Sequence, residues 1–411
     1  MSMEAPAVRQ DEQNNAVLQK IKVSVVIPVY NADKTLRQCL DDLLHQTLRE
    51  IEIICVDDGS TDCSRTILSD YADRYANFTF LRQQHGGAAR ARNYGMSAAR
   101  GEYLSILDCD DRFEPDMLER MVARADEVNA DIVICGCDGF RDGSGRSVPM
   151  TWALDCSLLP KKDPFSYKDM PEKIFCFTYG WAWDKLFRMR FVRDNRLAFQ
   201  TLDATNDMYF TFSALAEAER ISVLKKVLVH QRLGRKDSVS ESRHRNVDCF
   251  YYALTALRDR LIDDGIFDEV KISFKNWAVA LSAWQLNTLT AHPEAFIELY
   301  KKLHETILPE MDIADDSEVM YLRKNRKAAK QCSEILRTDL DEYLFRRWQS
   351  GVNSRSGLLL KRSVDTDGMT VLKPVFSNMG RLTKSFTSCA RDFGAGYAIK
   401  LLFGMVLGRR K

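Results

Sequence analysis

Short β-branched runs alternate with helical patterns through the first third of the chain. Val23-Ser-Val-Val-Ile-Pro-Val is apolar nearly throughout, as a strand covered on both faces requires. Residues 33–48 follow, with Leu36, Leu40, Leu43 and Leu44 at helical spacing and Asn31 or Asp33 placed to cap them. Ile51-Glu-Ile-Ile-Cys-Val predicts a second strand, closed by the turn Asp57-Asp-Gly-Ser. Ile67, Leu68, Tyr71 and Tyr75 share a helix face, and Phe78-Thr-Phe-Leu reads as a third strand. A helix over 88–99, a strand at Tyr103-Leu-Ser-Ile-Leu, a helix over 115–128 and a strand at Asp131-Ile-Val-Ile-Cys complete the series. Such alternation means an α/β domain with a largely parallel sheet.

The pattern weakens over 140–175, and 181–245 mixes polar residues with aromatics. Beyond 246 no strand is convincing, while Phe274, Trp277, Leu281 and Trp284 recur at helical spacing. Four segments are expected: a leader over 1–21, an α/β domain over 22–245, a helical extension over 246–350 and a basic tail over 351–411.

The 411 residues are 45% hydrophobic and 28% charged, enough apolar material for a sizeable core. Near balance of 59 Lys/Arg against 58 Asp/Glu does not suit a strongly basic nucleic-acid binder, and no nucleic-acid partner is expected. The balance hides an asymmetry: residues 352–411 carry a net +8, which leaves −7 on the rest. A basic tail on a mildly acidic body points to peripheral contact with an anionic membrane face. Eleven scattered cysteines, with no Cys-x-x-Cys, suggest a reducing, cytoplasmic compartment. The N-terminus lacks the apolar stretch of a signal peptide, and no run of about 18 apolar residues occurs.

Ligands of a parallel sheet bind beyond the carboxyl ends of its strands. Three clusters fall there: Pro28-Val29-Tyr30-Asn31, Asp57-Asp58-Gly-Ser and Asp108-Cys-Asp110-Asp111. One acidic turn is usually only a turn; three at strand ends of one sheet converge on a shared ligand. Carboxylates as close as Asp108, Asp110 and Asp111 repel unless a cation offsets them, and hard oxygen ligands suit Mg²⁺ or Mn²⁺. No P-loop and no Gly-x-Gly-x-x-Gly after the first strand is present, which argues against a P-loop NTPase and a dinucleotide enzyme. His85-Gly-Gly-Ala-Ala-Arg-Ala-Arg-Asn opens a helix with cations instead, so that Arg90 or Arg92 could face a nucleotide.

The order VSVVIPVYN, VDDGSTD, GGAARARNYG, GEYLSILDCDD resembles the inverting family 2 glycosyltransferases. The resemblance is dense over 22–137 and looser to about 245. It implies a GT-A (Rossmann-like) α/β domain with a mainly α-helical extension, acting on a nucleotide diphosphate-sugar. In that family the segment matching Pro28, Val29, Tyr30 and Asn31, with an acid of the Asp57–Asp58 pair, receives the nucleobase and ribose. The arginine matching Arg92 helps hold the nucleotide. Asp108 and Asp110 match aspartates that face ribose and metal, with Asp110 as the direct ligand to Mn²⁺ or Mg²⁺. Trp183-Asp-Lys185-Leu-Phe resembles a segment under the acceptor site. Thr205-Asn206-Asp207 resembles the Glu-Asp segment whose Asp is the catalytic base, with Asn206 in place of the Glu. Arg232, Ser238 and Ser240 resemble a late segment near the donor phosphates.

What the resemblance implies is transfer with inversion. Asp207 takes the proton of an acceptor hydroxyl as it attacks the anomeric carbon. The donor is expected to be a UDP-sugar, the acceptor a glycan or a lipid-linked glycan, and the product a surface polysaccharide. Two alternatives are a sugar-phosphate nucleotidyltransferase and a nucleotide-binding protein without turnover, the latter supported only by Asn206.

Overall fold

The computed structural model describes residues 21–143, 146–234, 244–313 and 321–352. Ser238, Ser240, the leader up to residue 20 and the tail from 353 lie outside these residues. The described chain divides into two compact units, a first running to Leu281 that also takes residues 321–325, and a second formed by 282–313 and 326–352.

The first unit is built on one sheet. Its strands are β1 (Val23–Val29), β2 (Ile51–Asp57), β3 (Phe78–Arg82), β4 (Tyr103–Ile106), β5 (Arg112–Phe113), β6 (Ile132–Phe140), β7 (Ser147–Pro149), β8 (Lys185–Arg188) and β9 (Ile221–Arg232). Their spatial order is β3-β2-β1-β4-β8-β6-β9-β5, with β7 on β6. The expected parallel arrangement holds for β3, β2, β1 and β4, and again for β6 with β9. Between them β8 runs antiparallel to both β4 and β6, while β5 and β7 are antiparallel to their partners, so the sheet is mixed. Strands β8 and β9 lie in the region whose pattern is weak. β8 opens on a buried lysine, and the β6–β9 register shifts at Gly136, which blurs the alternation.

Helices α1 (Leu36–Leu44), α2 (Ser64–Arg74), α3 (Ala88–Ala98) and α4 (Met117–Glu127) connect the parallel strands, as the apolar spacing predicts. The cap of α1 differs from expectation. Thr35 occupies the capping position, Asn31 turns to Thr61, and the Asp33 N–H donates to Asp62. Helix α3 must lie close on β1 and β2. A Cβ on Gly95 would stand 2.5 Å from Val26 Cγ1, so only glycine permits the approach. The core is the apolar face shared by β1, β2 and β4 with α1, α2 and α4, including Ile27, Leu36, Leu40, Ile53, Leu68 and Met121.

Two further helices, α5 (Met189–Asp194) and α6 (Asn206–Glu217), follow β8. Helix α7 (Cys249–Asp263) packs on α6, and α8 (Phe267–Thr288) carries the Phe274–Trp277–Leu281 stripe inward, with Trp284 36% exposed. The first unit thus continues past residue 245 because α7 and most of α8 bury their apolar faces in it. In the second unit α9 (Pro293–Lys302) meets α10 (Arg326–Arg337) and α11 (Leu340–Val352) around Tyr300, whose hydroxyl donates to Thr338 O at 3.0 Å and whose ring contacts Tyr343. Among the described residues no helix is long and apolar enough to cross a membrane.

Candidate active site

The chain leaves β1 for β2 and β3 on one side, then returns to place β4 on the other. Such a switch opens a crevice beyond the carboxyl ends of β1 and β4, where the clusters that follow β1, β2 and β4 fall. Pro28 and Val29 are buried within β1. Tyr30 emerges 45% exposed and lies nearly parallel on His85, ring centroids 4.2 Å apart. Asn31 has φ 47°, a left-handed conformation asparagine tolerates, and its side-chain oxygen accepts the Thr61 N–H at 2.8 Å.

Asp57 and Asp58 are both buried, and both shape the wall rather than stand free. Asp57 accepts the Ser60 N–H at 2.9 Å and Arg65 Nε at 3.3 Å. Asp58 accepts the N–H groups of Gly86 and Gly87, each at 2.8 Å, and Gln83 Nε2 at 2.6 Å. His85 Nδ1 stands 2.9 Å from the same carboxylate. Asp58 therefore fixes the turn that starts α3, and with it the Tyr30–His85 shelf. Gly87 has φ +88° at this helix start, where other residues are strained.

Of the two candidate arginines on α3, Arg90 is exposed and Arg92 is buried. Arg92 lies over the Phe199 ring and forks between two acceptors, Asp108 Oδ1 at 2.7 Å and Asn206 Oδ1 at 2.8 Å. The Asn that departs from the family pattern thus has a definite task as a neutral acceptor for this guanidinium. Asp207 comes next, in the first turn of α6, after Thr205 at φ 54°. A β-branched residue in that conformation is strained, and such strain gathers at functional positions. Burial, with Asp108 adding to it and Arg92 opposing it, raises the Asp207 carboxyl to about 6.

The turn after β4 is held from behind. Asp111 is buried and accepts the Arg232 N–H at 2.9 Å, while Arg232 Nε donates to Asp110 O at 2.8 Å. The Arg232 guanidinium also pairs with Asp142 and donates to Gln38 at 2.9 Å. It is a strut for the acidic turn. Burial, then the charges of Asp110 and Asp108, hold the Asp111 carboxyl well above its usual range despite Arg232. Among the described residues no three His, Cys, Asp or Glu side chains are grouped as a ready-made metal cage. The donor set nonetheless fits Mg²⁺ or Mn²⁺, which take one or two carboxylates and complete their shell with water and substrate phosphate. Asp110, with Asp108, would supply the carboxylate oxygens.

Trp183 and Lys185, expected on the acceptor side, are both buried, so neither side chain faces solvent. Trp183 stacks on the more exposed Trp181 at 4.6 Å. Lys185 Nζ donates to Tyr179 O, Trp181 O and Asp184 at 3.0, 2.8 and 2.7 Å. Sequence reasoning did not find three further contributors. His85 was visible only as the start of a glycine pair, Phe199 carried no local signal, and Asn206 read as a loss.

Comparison with known proteins agrees with this architecture. The model described as Glycosyl transferase family 2 matches residues 24–193. An uncharacterized glycosyltransferase of Escherichia coli (strain K12), YibD, is 41% identical over 247 residues, covering 58% of this chain and 71% of that protein. A poly(ribitol-phosphate) beta-glucosyltransferase of Bacillus spizizenii is 35% identical over 208 residues, 49% of this chain but 31% of the relative. The chain likewise spans 60% or less of two Bacillus subtilis relatives. Among solved structures, Staphylococcus aureus TarS 1–349 in complex with UDP-GlcNAc superposes with a TM-score of 0.54 over 76% of this chain and 90% of that one, at 22% identity, a likeness of fold. On the family match and the extent of the Escherichia coli relative, the chain belongs to glycosyl transferase family 2.

Proposed function

We propose that this protein transfers a sugar from a nucleoside diphosphate-sugar, a UDP-sugar by preference, to an acceptor hydroxyl with inversion, in the synthesis of a cell-surface polysaccharide. One observation carries the reading. Asp207, a carboxyl raised to about 6, shares a cluster with Arg92 and Asp108 at the β4 end of the crevice. Such a group is basic enough to accept a proton and still largely ionised near neutral pH.

The roles follow from position. Tyr30 and His85 offer a flat shelf for the nucleobase, beside the Asn31–Thr61 turn. Asp108, oriented by Arg92, faces the ribose, and Arg92 adds positive charge toward the nucleotide. A divalent cation held by Asp110 would neutralise the diphosphate as it leaves. Asp207 withdraws the acceptor proton as that oxygen attacks the anomeric carbon opposite the departing diphosphate. General-base help of this kind is worth about 10²–10⁴-fold, or about 3–5 kcal/mol. One displacement inverts the centre, and no covalent nucleophile is needed. Arg232 keeps the acidic turn in register from behind, and Trp183 and Lys185 hold the acceptor wall. The net +8 of residues 352–411 suits peripheral contact with anionic headgroups at the inner face of a membrane, where a lipid-linked acceptor would be met.

Calorimetric titration with UDP, GDP, CDP and dTDP, each with and without Mn²⁺, tests the donor site. Metal-dependent binding of one diphosphate, lost in Asp110→Ala, is expected. Binding of none by folded protein would overturn the donor assignment.

A further inference from the structure

Packed on α6, the helix that carries the proposed base, is an aromatic segment that the transfer mechanism does not use. Trp152 is 56% exposed, a costly position for an indole unless something covers it. Its ring meets Tyr179 at 5.4 Å and Trp181 at 5.5 Å, both at steep angles, and more than half of the residue is left exposed. Tyr179 and Trp181 contact each other at 4.3 Å, and Trp181 rests on the buried Trp183.

The surface is rigidly built. The Tyr179 N–H donates to Ala153 O at 2.9 Å and the Asp155 N–H to Phe177 O at 2.7 Å, which ties the Trp152 loop to the 177–179 segment. Lys185, fully buried, clamps the carbonyls of Tyr179 and Trp181 on either side of Gly180. Gly180 lies directly on α6: a Cβ there would stand 3.0 Å from Phe212 and 3.1 Å from Met208. Met208 follows Asp207, and the Lys185 charge helps to lower the Asp207 carboxyl. The aromatic segment therefore sits against the helix that presents the base. Two lysines anchored in this segment are engaged by carbonyls and carboxylates, Lys185 as above and Lys324 by Asp155 and Cys176 O. Both cations are therefore engaged within the chain, and the exposed group is the Trp152 indole.

We propose that Trp152, Tyr179 and Trp181 form an acceptor subsite for a pyranose ring, whose C–H face packs on the exposed indole of Trp152. The π-face of an indole is negative and attracts polarised C–H groups, while the sugar hydroxyls point outward and stay hydrated. The acceptor is accordingly a glycan that presents a pyranose, since this stacking needs a flat C–H face that a ring-free polyol phosphate lacks. This assignment rests on Asp207 being the base, because the subsite is placed by its packing on the helix that carries that residue.

Saturation-transfer NMR on the full chain tests it, with methyl β-D-glucopyranoside, methyl β-D-galactopyranoside and methyl N-acetyl-β-D-glucosaminide as probes and D-ribitol 5-phosphate as the ring-free control. At least one pyranoside should receive saturation at its ring C–H protons, with none on ribitol phosphate. In Trp152→Ala the signal should fall about fivefold, and Trp152→Phe should keep most of it. Trp152 is exposed, so both variants should bind UDP with Mn²⁺ as the parent does, which verifies folding. No saturation of any pyranoside, saturation of ribitol phosphate alone, or an unchanged signal in Trp152→Ala would overturn the subsite. The parent UDP titration separates the two readings. If UDP binds and no pyranoside does, the subsite alone fails. If a pyranoside binds through Trp152 while no diphosphate binds, the donor reading alone fails.

Discussion

The two ends of the parallel strands use the same residue types in opposite ways. At the amino ends, carboxylates are matched by cations. Glu52 accepts Ser24 Oγ at 2.6 Å and Arg100 Nη2 at 2.7 Å, and Lys22 bridges Glu102 and Asp126 at 3.0 and 2.9 Å. Burial would push Asp126 up, yet hydrogen bonds from Tyr103 and Lys22 outweigh it and hold the carboxyl below its usual value. At the carboxyl ends Asp108, Asp110, Asp111 and Asp207 gather around Arg92 and Arg232, and both Asp111 and Asp207 are raised. One end is satisfied by the chain itself. The other keeps an excess of negative charge that a bound cation would relieve. Acidic residues alone do not mark a site; the unbalanced set does.

The largest effect that would break this contrast lies at Asp207. Asp207→Asn should cut transfer by about 10²–10⁴-fold, read as release of nucleoside diphosphate in the presence of acceptor. The same change should stabilise the fold. A carboxyl raised from 3.8 to about 6 binds more protons folded than unfolded, so the parent loses stability as pH rises from about 4 to about 6. Asn carries no such penalty, and the variant should gain up to about 3 kcal/mol in urea unfolding at pH 8, with no gain below pH 4. In the parent, kcat/KM should rise with pH through about 6 as the base ionises. Full turnover in Asp207→Asn would remove the base assignment.

Arg92→Met comes next. It strips the guanidinium from Asp108 and Asn206 and removes two hydrogen bonds, one of them charged at both ends, a loss of about 2 kcal/mol in the same unfolding assay. UDP binding should weaken together with stability.

The parallel half of the sheet and the acidic turns were legible because their signals are local. A strand buried on both faces is a continuous apolar run, and a turn after it is a short polar cluster. The weaker half was not, for a physical reason. Lys185 is a charged residue inside a buried strand, satisfied by carbonyls at Tyr179 and Trp181 that no local pattern reveals. The same holds for Arg92, whose partners Asp108 and Asn206 lie 16 and 114 positions away. The motif order identified the residues, but only the fold shows that Asp57 and Asp58 brace loops and that Trp183 works from beneath Trp181.

The satisfied end supplies the control. Glu52→Gln removes a carboxylate that binds Ser24, the Arg100 guanidinium and the Arg100 N–H, and should cost about 1–2 kcal/mol, since Arg100 itself is 70% exposed. Transfer per folded molecule should not change. A loss of activity larger than the loss of folded protein would mean that the two ends are coupled, and the contrast between them would fail.

The smallest effect sharpens the contrast at one atom. Asn206 is neutral, so Arg92 keeps its full charge for Asp108 and Asp207. Asn206→Glu would place another carboxylate on the same guanidinium, compensating Arg92 locally while adding negative charge beside the base. Like charge favours the protonated form, so the Asp207 carboxyl should rise further. The acid limb of kcat/KM should then move to higher pH by about one unit at low salt. Turnover on the alkaline plateau should be retained, because Asp207 and Asp110 are themselves unchanged. A shift to lower pH would mean that the introduced carboxyl draws Asp207 into a shared hydrogen bond that favours its ionised form.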